Sequence, residues 1–284
     1  HMSATALSAE IRSPHRQRSS HPRRHLVKHL EFGADRRESV VLLHGGNVAG
    51  WMWGEQLPAL SRFHVLVPDL PGFGASNDEP WLSMADTSNA VADLIRTGAR
   101  GGRAHVVGLS LGSSVALELA ARHPDAVTSL FLASAQVTPP SRRHLVSARL
   151  LLRLFWQQPG FWQATARSYG LRGDDAALFV ETGLGIDRST AVAVYDEVAR
   201  GVPRETLARI TAPVLAVAGS RDSSAITGAS LARLRAEVPT GRTAIAEGMH
   251  HQWNIENVAL FNSSLTAWLE GGEIDEGLRD TTRE

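Results

Sequence analysis

Five short stretches of the chain are almost continuously apolar: 39–43 (SVVLL), 64–67 (HVLV), 105–107 (HVV), 130–132 (LFL) and 214–217 (VLAV). They lack the alternation of a half-exposed strand, so each predicts a strand buried on both faces. Segments of helical period lie between them. Residues 84–99 precede the third run. Residues 112–123 follow it, with Val115, Leu117, Leu119 and Ala120 forming an apolar face, and Pro124 ends the pattern. A further strand is expected at 243–246 and a helix from near Ile255. Strands and helices in alternation predict an α/β fold, a mostly parallel sheet covered on both faces.

The alternation fails between residues 138 and 205. The pattern there is helical and carries Phe155, Trp156, Phe161, Trp162, Tyr169 and Phe179. This predicts a helical cap at 138–205, inserted between two strands of a core formed by 23–137 and 206–270. Residues 1–22 are polar and basic, with Arg12, His15, Arg16 and Arg18 close together. They read as a disordered arm whose His1-Met2 resembles a tag remnant. Residues 271–284 are mostly charged and read as a disordered tail.

Composition narrows the function. The 284 residues carry 29 basic and 29 acidic groups, for a net charge of zero, so no nucleic-acid footprint is expected. There is no cysteine, which excludes a thiolate nucleophile, a disulfide framework and a Cys-based metal site. No apolar run approaches the roughly 18 residues of a membrane span, and no signal-like segment opens the chain. A cytoplasmic protein with no membrane partner is therefore expected. The oligomeric state is not encoded in any pattern of this kind.

Candidate chemistry begins at Gly108-Leu-Ser-Leu-Gly112, a G-x-S-x-G pentapeptide with a strand before it and a helix after it. A serine on so tight a strand-to-helix turn needs small neighbours two residues away on either side. The turn exposes the Ser110 hydroxyl and aims the helix N-terminus at it. A nucleophilic serine also needs two backbone N–H groups for the oxyanion. Leu111 supplies one, and the turn His44-Gly45-Gly46-Asn47 supplies the other through Gly46. Asp222 follows the strand ending at Gly219, where α/β folds place their sites. Two histidines, His250 and His251, follow the strand at 243–246. Serine, aspartate and histidine thus occur in the chain order Ser…Asp…His.

With these residues in place, the chain resembles the α/β-hydrolase superfamily. The resemblance is to its lid-bearing branch of esterases, lactonases and C–C bond hydrolases. It rests on His44-Gly45-Gly46, the stretch from Asp69 to Ser76 (DLPGFGAS), Gly108 to Gly112, Gly219 to Asp222, and His251 to Glu256. It implies an eight-stranded, mostly parallel sheet with one antiparallel edge and a helical cap after the sixth strand. It also implies that the base is His251, since the family places a glutamate five positions beyond the histidine and Glu256 fits that spacing. His44 is expected to stabilise the oxyanion loop.

The resulting expectation is a serine hydrolase with catalytic Ser110, His251 and Asp222, needing no metal and no organic cofactor. It would cleave a carboxylic ester or lactone of a small apolar or aromatic molecule through an acyl-enzyme. A C–C bond hydrolase or an acyltransferase would use the same groups. A protein of another class, binding a ligand with an idle triad, would keep them without using them. Asn47, Trp51, Trp156, Tyr169 and Trp253 are the expected substrate contacts. Serine at position 110 disfavours the dehalogenase and epoxide-hydrolase branches, which carry aspartate there.

Overall fold

The computed structural model describes residues 27–284, so the expectation of a disordered arm at 1–22 lies outside the described residues. The chain runs β1 (His29–Phe32), β2 (Ser39–Leu43), β3 (His64–Pro68), α1 (Met84–Gly98), β4 (Ala104–Leu109), α2 (Leu111–Arg122) and β5 (Val127–Ala133). Four helices follow without a strand: α3 (Arg142–Phe155), α4 (Pro159–Ser168), α5 (Gly173–Gly185) and α6 (Arg188–Arg200). Then come α7 (Arg204–Ala208), β6 (Val214–Gly219), α8 (Leu231–Glu237), β7 (Gly241–Ala246), α9 (Trp253–Glu256), α10 (Val258–Gly271) and β8 (Arg279–Asp280).

The eight strands form one sheet in the order β1-β3-β2-β4-β5-β6-β7-β8. All neighbours from β3 to β7 are parallel, and every residue of β2, β3 and β6 is buried. The continuous apolar runs thus have the physical cause read from them, helices packing on both faces. The strand order reverses at β2, which has β3 on one side and β4 on the other. In open α/β sheets the crevice beyond the strand ends at such a reversal is where ligands bind.

Three expectations are corrected. The sheet has two antiparallel edges, because β1 pairs antiparallel with β3 and β8 pairs antiparallel with β7. The four-helix segment follows the fifth strand of the chain and not the sixth. Residues 271–284 are ordered: Leu278 is buried, the Thr281 N–H donates to the Thr243 carbonyl (2.9 Å), and the two threonine hydroxyls meet at 2.9 Å. Two apolar residues, Ile274 and Leu278, backbone pairing and a few side-chain bonds hold this tail, and none of these leaves a periodic signal in a charged sequence.

Candidate active site

The turn after β4 places Ser110 directly before the first residue of α2, with φ 53° and ψ −108°. Only three non-glycine residues among those described have positive φ: Asn47, Ser110 and Ser134. They lie just beyond β2, β4 and β5, three adjacent strands. Unfavourable backbone of this kind persists where the surrounding structure enforces it. The Ser110 N–H donates to the Ala133 carbonyl (2.9 Å), and Ser113 Oγ reaches the carbonyls of Gly108 (2.9 Å) and Ala133 (3.0 Å).

The glycines at 108 and 112 are required by space. A Cβ on Gly108 would lie 2.5 Å from the Gly112 backbone, and one on Gly112 would lie 2.1 Å from the Leu43 carbonyl oxygen. Both obstacles are main chain and cannot swing aside. Gly112→Ala is therefore expected to cost about 3 kcal/mol or more, lowering Tm by roughly 6–12 °C. Nothing lies within 4 Å of a Cβ on Gly46, so Gly46→Ala should leave Tm within about 2 °C of wild type. Thermal unfolding of both variants checks the contrast.

Gly46 and Asn47 occupy the turn after β2 and are half-buried. The Gly46 and Leu111 N–H groups donate to no described residue. His44 locks this turn. Its Nδ1–H donates to the Gly45 carbonyl (2.7 Å) and its Nε2 accepts from the Leu70 N–H (2.9 Å). Burial pushes the His44 pKa down, outweighing the Asp69 carboxylate and the Gly45 carbonyl, so the ring stays neutral and can accept at Nε2. Asp69 in turn accepts from the N–H groups of Gly50 and Ala75, both at 2.7 Å.

Asp222 and His251 come together across the exits of β6 and β7. His251 Nδ1 lies 2.9 Å from Asp222 Oδ2, with side chains 10% and 6% exposed. Gly219 allows the approach, since a Cβ there would lie 2.3 Å from the Met249 carbonyl oxygen. The Arg221 N–H bonds to that same carbonyl (2.9 Å). Burial pushes the Asp222 pKa up. The His251 charge and hydrogen bond, the Ser223 N–H (2.8 Å to Oδ1) and the Ser134 hydroxyl outweigh it, so the carboxyl is held below its usual range. His250 is occupied elsewhere: its N–H and Nδ1 both engage the Glu256 carboxylate, at 2.6 and 2.7 Å.

Two contributors carry no legible sequence signal. Ser134 Oγ donates to the His251 carbonyl (2.9 Å) while standing beside the Asp222 carboxylate. Nothing marks this serine in the string FLASAQ. The Gln56 amide donates to the Asn254 carbonyl (2.9 Å), and the Asn254 amide returns a bond to the Met52 carbonyl (3.0 Å). These bonds tie the histidine loop to the 3-10 turn Gly50–Gln56, a separation of some 200 residues.

The expected substrate contacts divide. Tyr169, just beyond α4, lays its ring against His251 with centroids 4.6 Å apart and planes tilted by 33°. Burial, then the Asp222 charge, pushes its hydroxyl pKa up to about 12, so the phenol stays neutral. Trp51 is buried, and its Nε1 donates to Thr182 Oγ1 on α5 (3.1 Å). Trp156 and Trp253 depart from the expectation. Trp156 packs edge-on to Trp162 at 4.8 Å and donates to the Ile186 carbonyl (3.3 Å). Trp253 is fully buried against Phe261 and Phe131. Both are core aromatics, which helical periodicity cannot distinguish from a ligand-facing stripe.

A family model described as alpha/beta hydrolase fold matches residues 38–174. An AB hydrolase superfamily protein of Gibberella zeae is 32% identical over 247 residues, covering 84% of this chain and 83% of that protein. A pimeloyl-acyl-carrier-protein methyl ester esterase of Methylococcus capsulatus is 41% identical over 98 residues, 34% of this chain and 37% of its own length. The crystal structure of the enol-lactonase from Burkholderia xenovorans superposes with a TM-score of 0.72 at 20% identity, over 86% of this chain and 96% of that one.

Proposed function

Because this chain belongs to the α/β-hydrolase superfamily, we propose that it hydrolyses a carboxylic ester or lactone of a small apolar or aromatic molecule, with Ser110 as nucleophile. The observation that carries this reading is the buried 2.9 Å pair between His251 Nδ1 and Asp222. It stands on the side of the sheet where the parallel strands end, as does a serine held at positive φ beyond β4. The esterase and lactonase relatives support the choice of bond.

The chemistry follows from the residues. Asp222 holds the proton of His251 on Nδ1, leaving Nε2 to accept the Ser110 proton as Oγ attacks the carbonyl carbon. The Gly46 and Leu111 N–H groups, which donate to no described residue, receive the oxyanion. The imidazolium then protonates the departing oxygen. A water, deprotonated by His251, attacks the acyl carbon and releases Ser110 with its proton restored. The Tyr169 face against the ring favours the imidazolium formed in each half-reaction.

Residues 138–205, the helical segment between β5 and β6, act in this reading as a cap on the core. Four attachments to the core support it: Tyr169 on His251, Trp51 to Thr182, Thr190 against Gly72, and Glu197 accepting from Trp81 Nε1 (3.1 Å) and the Met84 N–H (2.6 Å). A panel of p-nitrophenyl esters, from acetate to long and aryl acyl groups, beside a set of lactones, tests the function. The expected result is saturable turnover with a preference for one size class. Failure to cleave any ester or lactone overturns the reading.

A further inference from the structure

Helix α3 is displayed outward. Among the described residues seven large apolar side chains are exposed, and five are on this helix: Val146 (60%), Leu150 (54%), Leu151 (46%), Leu154 (60%) and Phe155 (43%). A sixth, Val192, lies on α6 one turn before Asp196, which pairs with Arg149 of α3 (2.8 Å). Residues 146, 150 and 154 fall in one row at helical spacing, with 151 and 155 beside them. Leu145 and Leu152, at least half-buried, lie on the opposite side, which faces the protein.

Charge is equally uneven. From Thr138 to Arg172 the sequence contains six arginines and no aspartate or glutamate, in a chain whose net charge is zero. Four of the six, Arg142, Arg143, Arg149 and Arg153, are on α3 and exposed. Arg142, Arg149 and Arg153 run along one side of the aliphatic row and Arg143 continues the row at its N-terminal end.

We propose that α3 docks this protein on an anionic lipid surface, its aliphatic face entering the acyl boundary and its arginines meeting the phosphate headgroups. Charge decides between occupants. A second copy meeting the same face would bring Arg142, Arg143 and Arg153 against their own counterparts, with no acid on α3 of either copy and Asp196 already paired with Arg149. An acidic protein patch would answer the arginines and leave the aliphatic row unmatched. A lipid leaflet answers both along the whole helix. At fourteen residues α3 is too short to span, and no described helix is long and apolar enough to cross a membrane. The docking is peripheral. It revises the expectation of no membrane partner, which considered spanning segments alone.

Co-sedimentation with vesicles tests this independently of any hydrolytic activity. The full chain should bind vesicles of equal parts phosphatidylcholine and phosphatidylglycerol, at least ten-fold more weakly to phosphatidylcholine alone, and less as salt rises. Leu150→Glu with Leu154→Glu should abolish binding. Arg142→Gln with Arg143→Gln should weaken it about 25-fold, at about five-fold per arginine. All four sites are exposed, so wild-type Tm verifies the fold of each variant. No binding to the mixed vesicles, or binding unchanged in both variants, overturns the proposal. So does a concentration-dependent dimer in sedimentation velocity that the leucine variant dissolves, which would assign the face to a second copy.

Discussion

Ser110→Ala should lower turnover of every substrate the wild type cleaves by about 10⁵–10⁶-fold, the scale seen when a triad nucleophile is removed. The hydroxyl is the only group at the elbow that can bond to the acyl carbon, and neither neighbour, Leu109 nor Leu111, is nucleophilic. The fold should survive. Ser110 makes no side-chain bond that caps α2, so its hydroxyl holds nothing in place. A serine-directed phosphonate should add one phosphonyl group to the wild type, on the peptide containing Ser110, and none to the variant. Mass spectrometry reads the label and the ester panel reads the rate. A variant retaining more than about 1% of wild-type turnover would remove Ser110 from the mechanism. Absence of both label and turnover in the wild type would instead favour a ligand-binding protein with an idle triad.

Asp222→Asn should cost about 10⁴-fold in kcat, comparable to the same change in a serine-protease triad. The surroundings of this residue fix the reason. The Ser223 N–H donates to Oδ1 at 2.8 Å, so the amide oxygen of asparagine must take that position. Its NH₂ then faces His251 Nδ1, 2.9 Å away in the wild type. Nδ1 becomes an acceptor, the ring proton moves to Nε2, and Nε2 can no longer take the Ser110 proton. Turnover within ten-fold of wild type would show that another group orients the base.

The same substitution has a consequence for stability against pH. The folded pKa of Asp222 is depressed, so its contribution is fully present above the unfolded value of about 4. It is lost as pH falls through the lower folded value. The asparagine variant should therefore lose less Tm than wild type on acidification below pH 4, measured by thermal unfolding across pH 2–7.

Much of this architecture was legible in the string. Uninterrupted apolar runs require a sheet buried on both faces, and that fixes the class, since only crossing helices can cover both. Gly108 and Gly112 announced the elbow because backbone atoms occupy the space any Cβ would need, a constraint local enough to appear as two letters at fixed spacing. The strand-then-turn pattern put Ser110, Asp222 and the histidine pair beyond the ends of β4, β6 and β7, which share one side of the parallel sheet. The choice of His251 over His250 came from resemblance, and the structure gives the two rings separate carboxylates, Asp222 and Glu256.

Tertiary structure decided what depends on contacts distant in sequence. The string FLASAQ does not say that Ser134 meets the His251 carbonyl 117 residues later. The four aromatics expected to touch substrate looked alike as letters. Only packing separates Tyr169, stacked on the imidazole, from Trp253, enclosed by Phe131 and Phe261. The charged tail paired as β8 through backbone groups that every residue possesses. On α3 the sequence shows amphipathicity, yet which apolar residues stay in water is fixed by the neighbours a helix acquires. Local sterics and periodicity are written residue by residue, whereas burial and long-range pairing belong to the folded chain as a whole.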